Sequence, residues 1–265
     1  MSELINKHKS VYIFPSLLTT GGMFFGFYAI MAALGGNYEH SAQAILAAGV
    51  FDGLDGRVAR AMNATSAFGK EYDSLADFLS FGIAPAVLVY LWALEPFHRL
   101  GWAAAFLYAV CGALRLARFN VQQHVIQDER VSKRYFQGLP IPAAAGVVSA
   151  LVLFYQELGI GSTSGEVVGL WRWLPLFLTF TLGILMVSTI RFRSMKDFYY
   201  HRKRPFLTLV GVVIFIAVLT IHMASTLFVM SGAYLLSALH SHREYLQLLA
   251  EGKEVEEDEV EDLSV

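Results

Sequence analysis

Charge is what this 265-residue chain has least of: Asp, Glu, Lys and Arg together make up 16% of it, against about 25% in an ordinary soluble domain. Cysteine is nearly absent too, and the single Cys111 rules out a disulfide within one chain. It sits in an apolar run and reads as a small buried residue. The eight histidines show no paired metal-ligand spacing, so they are assigned no chemistry.

What fills the chain instead is apolar: 55% of residues are hydrophobic and the mean hydropathy is +0.50. A membrane span needs roughly 20 apolar residues. Eight stretches qualify, at about 11–34, 40–60, 73–95, 100–119, 140–158, 167–189, 205–222 and 224–240. The last two are separated by only a few residues around His222. The expected fold class is therefore all-α, a polytopic membrane helical bundle of about eight transmembrane helices. Residues 1–240 form one membrane domain and 241–265 an acidic tail, with no internal repeat and no interdomain linker.

The few basic residues are unevenly placed. With the N-terminus inside, Lys7, Lys9, Arg57, Arg60, Lys70, Arg115, Arg118, Arg130, Lys133, Arg134, Arg191, Arg193, Lys196, Arg202, Lys203, Arg204, Arg243 and Lys253 all fall on the cytoplasmic side. Only Arg99 and Arg172 fall outside. That asymmetry is the positive-inside pattern, and it places both termini in the cytoplasm. The first apolar run carries Pro15, Thr19 and Thr20 and is too long for a signal-peptide core, so it is expected to stay as the first span. Trp171 and Trp173 read as interfacial anchors on the outer face. Pro140 and Pro142 suit a helix start at a loop boundary. The segment 191–204, RFRSMKDFYYHRKR, would attract anionic headgroups, although topology alone also accounts for its charge. The run EVEEDEVED at 254–262 looks solvated and largely disordered, after a possible short helix over 242–251.

Against this background four aspartates stand out: Asp52, Asp55, Asp73 and Asp77. A carboxylate at membrane depth costs several kcal/mol unless paired, hydrated or metal-bound. Asp52 and Asp55 are three apart and Asp73 and Asp77 four apart, spacings that put each pair on one helix face. Two such helices facing each other would bring four carboxylates into one pocket, and their repulsion calls for cations. Hard oxygen ligands suit Mg²⁺ or Mn²⁺, and two ions sharing bridging carboxylates would account for four ligands. An ion network with Arg57, Arg60 and Lys70 is the competing account. It explains one or two carboxylates and explains four with interleaved glycines poorly.

The full pattern is D-x2-D-G-x2-A-R-x8-G-x3-D-x3-D, filled by Asp52, Asp55, Gly56, Ala59, Arg60, Gly69, Asp73 and Asp77. It resembles the signature of the CDP-alcohol phosphotransferases. The resemblance implies a six-helix membrane core, displacement of CMP from a CDP-linked lipid by an alcohol, and a homodimer. It also implies that the first three aspartates chiefly hold the metals, that Asp77 adds to the metal site and acts as general base, and that Gly56, Ala59, Arg60 and Gly69 serve the CDP-lipid.

The acceptor is named by other stretches. FPSLLTTGGMFFGF (14–27), EYDSLADFLSFGIAPA (71–86), ALRLARFN (113–120) and FQGLPIPAAAG (136–146) are similar to the bacterial type II phosphatidylserine synthases, with Ser16 standing where many members have Asn. That implies CDP-diacylglycerol and L-serine as substrates, at the bacterial inner (cytoplasmic) membrane. A serine carboxylate needs a cation; Arg118 is the leading candidate to orient it or a lipid phosphate, with Arg115 and Asn120 beside it and Arg191 and Arg193 behind them. Glycerol 3-phosphate or inositol phosphate are the alternative acceptors. A divalent-cation transporter is the rival of another class, but the spans carry too few polar residues beyond the cluster. No nucleic-acid partner is expected.

Overall fold

In lipid every backbone N–H and C=O must find a partner within the chain, so long apolar runs fold as helices. The computed structural model describes residues 13–62, 64, 66–125, 135–160, 167, 169–193 and 222–250. Seven helices appear among them: α1 (Ile13–Leu34), α2 (Tyr38–Ala61), α3 (Ala67–Phe97), α4 (Arg99–Val125), α5 (Ile141–Glu157), α6 (Trp173–Val187) and α7 (Met223–Ala250). The span expected at 205–222, the tail beyond 250 and most of the basic 191–204 segment lie outside the described residues.

Among the described residues, four helices are long and apolar enough to cross a membrane: Phe14–Leu34, Ala67–Phe97, Arg99–Val121 and Gly169–Val187. Ile141–Glu157 and Met223–Ser237 are apolar but shorter. Helix α2 has 24 residues and is more polar, with Glu39, His40 and Gln43 in its first turns and Asp52, Asp55, Arg57 and Arg60 in its last.

Large apolar side chains face outward on several helices: Phe24, Phe27 and Met31 on α1, Trp102 and Phe106 on α4, Phe177 and Ile184 on α6. Such surface suits hydrocarbon and not water. Helix α5 is the opposite case, buried along its length through Ala144, Ala145, Val148, Leu151, Val152 and Tyr155, as befits a helix apolar all round. It packs against α2 and α7, while α1 lies along α2 and α3, and α4 along α6.

Helix α3 begins earlier than its apolar run. Ser66 caps it, accepting a hydrogen bond from the Gly69 amide at 2.9 Å, so the polar turns from Ala67 to Asp73 belong to the same helix as the span. Just after Asp77 the helix widens into a π segment, Phe78–Ile83. A widened turn loosens the regular i→i−4 ladder, and the buried Tyr108 hydroxyl of α4 donates to the Phe81 carbonyl at 3.2 Å. Helix α1 crosses here very closely. A methyl group on Gly26 would come within 2.3 Å of Ser80 Oγ and 2.8 Å of Ser80 Cα, so only glycine permits the contact.

One feature was not anticipated. Tyr135–Gln137 and Arg191–Arg193 form a two-stranded antiparallel ribbon, with Phe136 opposite Phe192. It joins the chain entering α5 to the chain leaving α6. The Gly138 amide donates to Ile190 O at 2.9 Å and the Leu139 amide to Leu185 O at 3.0 Å. Gly138 has φ +79°, and a Cβ there would lie 2.5 Å from Met186 O, so glycine is required twice over. At the other end α7 is one continuous helix to Ala250, absorbing the short helix expected at 242–251.

Candidate active site

The last turns of α2 and the first turns of α3 meet, and their carboxylates converge as the helical spacing predicts. Asp52, Asp55 and Asp73 each offer an oxygen within 4.8 Å of the others. Asp77 completes the group through a side-chain contact with Asp52. The cavity between the helices is lined by all four aspartates together with Thr19, Gly22, Ala48, Ala76, Ser80 and Phe81. Asp55 is the deepest, 5% exposed, and the other three are half-buried.

Few protein donors reach this cluster. Asp55 accepts from the Thr19 hydroxyl at 2.8 Å and from a backbone N–H at Gly56, with the Arg60 guanidinium acting on it through space. Asp73 feels chiefly burial and the charges of Asp55 and Asp52. Asp77 is surrounded by Asp52, Asp73 and Asp55. Among the described residues, no ion pair joins Arg57, Arg60 or Lys70 to any of the four, and all three basic side chains are exposed. The competing ion network is therefore not formed there. Carboxylates this close repel strongly in a low-dielectric setting, and an all-oxygen donor set with a hydroxyl at its edge fits a hard divalent cation such as Mg²⁺ or Mn²⁺.

The glycines within the signature segment, Gly53 among them, divide by environment. A Cβ on Gly53 would meet nothing within 4 Å, and one on Gly56 would meet only the Arg60 guanidinium, at 3.5 Å. That surface is open, where a substrate can approach. Gly69 differs, since a Cβ there would press on the Ser66 cap at 3.1 Å. Ala59 is half-buried on α2 and Arg60 exposed at its end.

The three acceptor candidates on α4 are placed differently from one another. Arg115 turns inward, where Asp77 and Tyr234 of α7 act on its guanidinium, and its Nε is buried without a hydrogen-bond partner. Arg118 is exposed and donates from Nη1 to Val187 O at 3.2 Å, closing the end of α6. Asn120 pairs with Ser74 of α3: its Nδ2 lies 3.0 Å from Ser74 Oγ, and Ser74 Oγ lies 3.3 Å from its Oδ1. Arg191 and Arg193 are fixed in the backbone of the ribbon.

Sequence reasoning missed Thr19 and Ser74. Threonine in an apolar run carries little signal, because a hydroxyl can bond its own helix. Thr19 does approach Pro15 O at 3.1 Å, but its second acceptor is 36 residues away. Ser74, lying between two predicted ligands, was within reach of a closer reading.

The chain matches the CDP-alcohol phosphatidyltransferase family over residues 12–185. It is 37% identical over 228 residues to a Helicobacter pylori protein named CDP-diacylglycerol–serine O-phosphatidyltransferase, covering 85% of this chain and 89% of that one. A Bacillus subtilis protein of the same name is 36% identical over 185 residues, 69% of this chain and 90% of its own. An archaetidylserine synthase from Methanothermobacter thermautotrophicus is 34% identical over 190 residues, 70% of this chain and 72% of its own. With its apolar helices and its four converged aspartates, this integral membrane protein belongs to the CDP-alcohol phosphatidyltransferase family.

Proposed function

We propose that the protein transfers a phosphatidyl group from CDP-diacylglycerol to L-serine, giving phosphatidylserine and CMP. The observation that carries this is the meeting of Asp52, Asp55, Asp73 and Asp77 in one cavity, in a chain whose relatives on both sides of the bacterial–archaeal divide carry serine in their names. Asp52, Asp55 and Asp73 hold a divalent cation, Mg²⁺ or Mn²⁺, and with Asp77 there are ligands for two. When bound, the cations neutralise the pyrophosphate and stabilise departing CMP.

The chain's own residues do the rest. Asp77 takes the proton of the serine hydroxyl as its oxygen bonds to the lipid phosphorus and the bond to the CMP oxygen breaks. Gly56, Ala59, Arg60 and Gly69 form the CDP-lipid side of the pocket: the open face at Gly53 and Gly56 gives room, and Arg60 is a cation at its rim. Arg115, Arg118 and Asn120 serve the acceptor carboxylate. Arg115 is the strongest of them, because the Asp77 charge already acts on it and it holds an unused buried donor.

In this reading the protein sits in the bacterial inner membrane as a homodimer with eight spans, six of them the catalytic core. The site and both termini face the cytoplasm, and the 241–265 tail lies outside the membrane domain. The test is CMP release from CDP-diacylglycerol by the purified protein, with serine, glycerol 3-phosphate and inositol phosphate offered in turn. Release that requires serine is expected. Release driven by a phosphorylated alcohol in its place would move the protein to another branch of the family.

A further inference from the structure

We infer that Thr19 is a positioning residue for the cation site: its hydroxyl, brought in by α1, fixes the Asp55 carboxylate for metal binding. This rests on the proposed reading of the cluster as a cation site.

The two acceptors within reach of Thr19 Oγ1 are not equivalent. Pro15 O, at 3.1 Å, is a helix carbonyl that the Thr19 amide can already serve in the i→i−4 ladder. Asp55 Oδ2 is closer, at 2.8 Å, and charged, and a bond to a carboxylate is the stronger one. The single hydroxyl proton therefore belongs to Asp55. Both side chains are nearly shut off from solvent, 8% exposed for Thr19 and 5% for Asp55.

Among the four carboxylates, only Asp55 receives a hydroxyl donor among the described residues, whereas Asp52 and Asp77 bond to each other. Tying Oδ2 to α1 leaves the other oxygen for the cation and fixes the carboxylate plane. This is the outer-shell arrangement that orients metal ligands elsewhere. The neighbouring Thr20 makes a different bond, to the Tyr72 hydroxyl at 2.9 Å on the exposed side of the same helices. It joins α1 to α3 without touching a carboxylate and so provides an internal control.

The experiment uses the full-length protein in detergent, with Mn²⁺ binding followed by the loss of the free-ion EPR signal and Mg²⁺ activation of CMP release followed alongside. Thr19→Val, which keeps the shape and removes the donor, should weaken Mn²⁺ binding by about tenfold or more and raise the Mg²⁺ needed for half-maximal release. Thr19→Ser should restore both, and Thr20→Val should leave Mn²⁺ affinity unchanged. If Thr19→Val proves too unstable to purify, Thr19→Ala against Thr19→Ser carries the same contrast. Wild-type Mn²⁺ affinity in Thr19→Val, or equal weakening in Thr19→Ser, would overturn the inference and reduce Thr19 to a packing residue. If the wild-type protein binds no Mn²⁺, the cation site itself falls and Thr19 with it. If it binds Mn²⁺ but releases no CMP, the proposed reaction falls and the Thr19 inference stands.

Discussion

Glu157 and the four aspartates are carboxylates at opposite ends of one helical bundle, and the fold treats them differently. Glu157 ends α5 and reaches the first turn of α7. It accepts from the Ser225 amide at 3.0 Å, the Ser225 hydroxyl at 2.9 Å and His222 Nδ1 at 3.2 Å. The first amides of a helix have no partner within it, and negative charge is favoured there. Beyond the bond between Asp52 and Asp77, the four aspartates receive one hydroxyl and one backbone N–H among the described residues. A carboxylate that holds architecture together comes with its donors. Carboxylates crowded together and short of donors are poised to take cations.

The largest effect that could break this contrast comes from removing divalent ions. Chelation should abolish CMP release and added Mg²⁺ or Mn²⁺ should restore it, while the helical circular dichroism signal stays unchanged. Loss of helix on chelation would make the aspartate cluster a structural element like Glu157. Next in size are single substitutions. Asp77→Asn should lower turnover by about a thousandfold, within the range for removing a general base. Asp52→Asn, Asp55→Asn and Asp73→Asn should raise the metal requirement as well as lower the rate. Turnover within a few-fold of wild type in Asp77→Asn would take the proton-accepting role away from it.

How much of this was readable in the sequence depends on range. The aspartate pairs were legible because three- and four-residue spacings are helix geometry, and both pairs do line the cavity. The start of α3 was placed six residues late, since the apolar run opens at 73 while the Ser66 cap starts the helix at Ala67. The ribbon escaped notice because three-residue strands have no period to detect, and its pairing joins segments more than fifty residues apart. Thr19–Asp55 and Glu157–Ser225 were invisible for the same reason: Thr19, Glu157 and Ser225 are each an ordinary polar residue at a helix end or in an apolar run, and nothing local ties them to a partner more than thirty residues away. The sequence puts Arg118 ahead of Arg115 on their shared helix face, and only packing separates the inward guanidinium of Arg115 from that of Arg118, which closes α6.

That separation gives the intermediate test. Arg115→Ala should raise the serine KM by about tenfold or more, the scale of a lost hydrogen bond to a charged group, with a smaller effect on the KM for CDP-diacylglycerol. Arg118→Ala should shift the serine KM less, because its Nη1 already serves Val187 O. The reverse order would place the acceptor carboxylate on the α6 side of α4.

The smallest effect on chemistry is expected at Glu157. Glu157→Ala removes three hydrogen bonds at once and leaves the first turn of α7 without its acceptor. The thermal midpoint should fall, and the chain around His222 should become easier to cleave with protease. Serine-dependent CMP release, measured well below that midpoint, should stay within about twofold of wild type, since surface changes remote from a site rarely move its energetics far. Ser225→Ala, which keeps the backbone amide bond and loses only the hydroxyl, should give a smaller fall along the same line. The comparison is sharpest here because Glu157 and Asp77 are both helix carboxylates within one chain. A large loss of turnover in Glu157→Ala without a loss of stability would mean that the far end of the bundle is coupled to the aspartates, and that the division between the two ends does not hold.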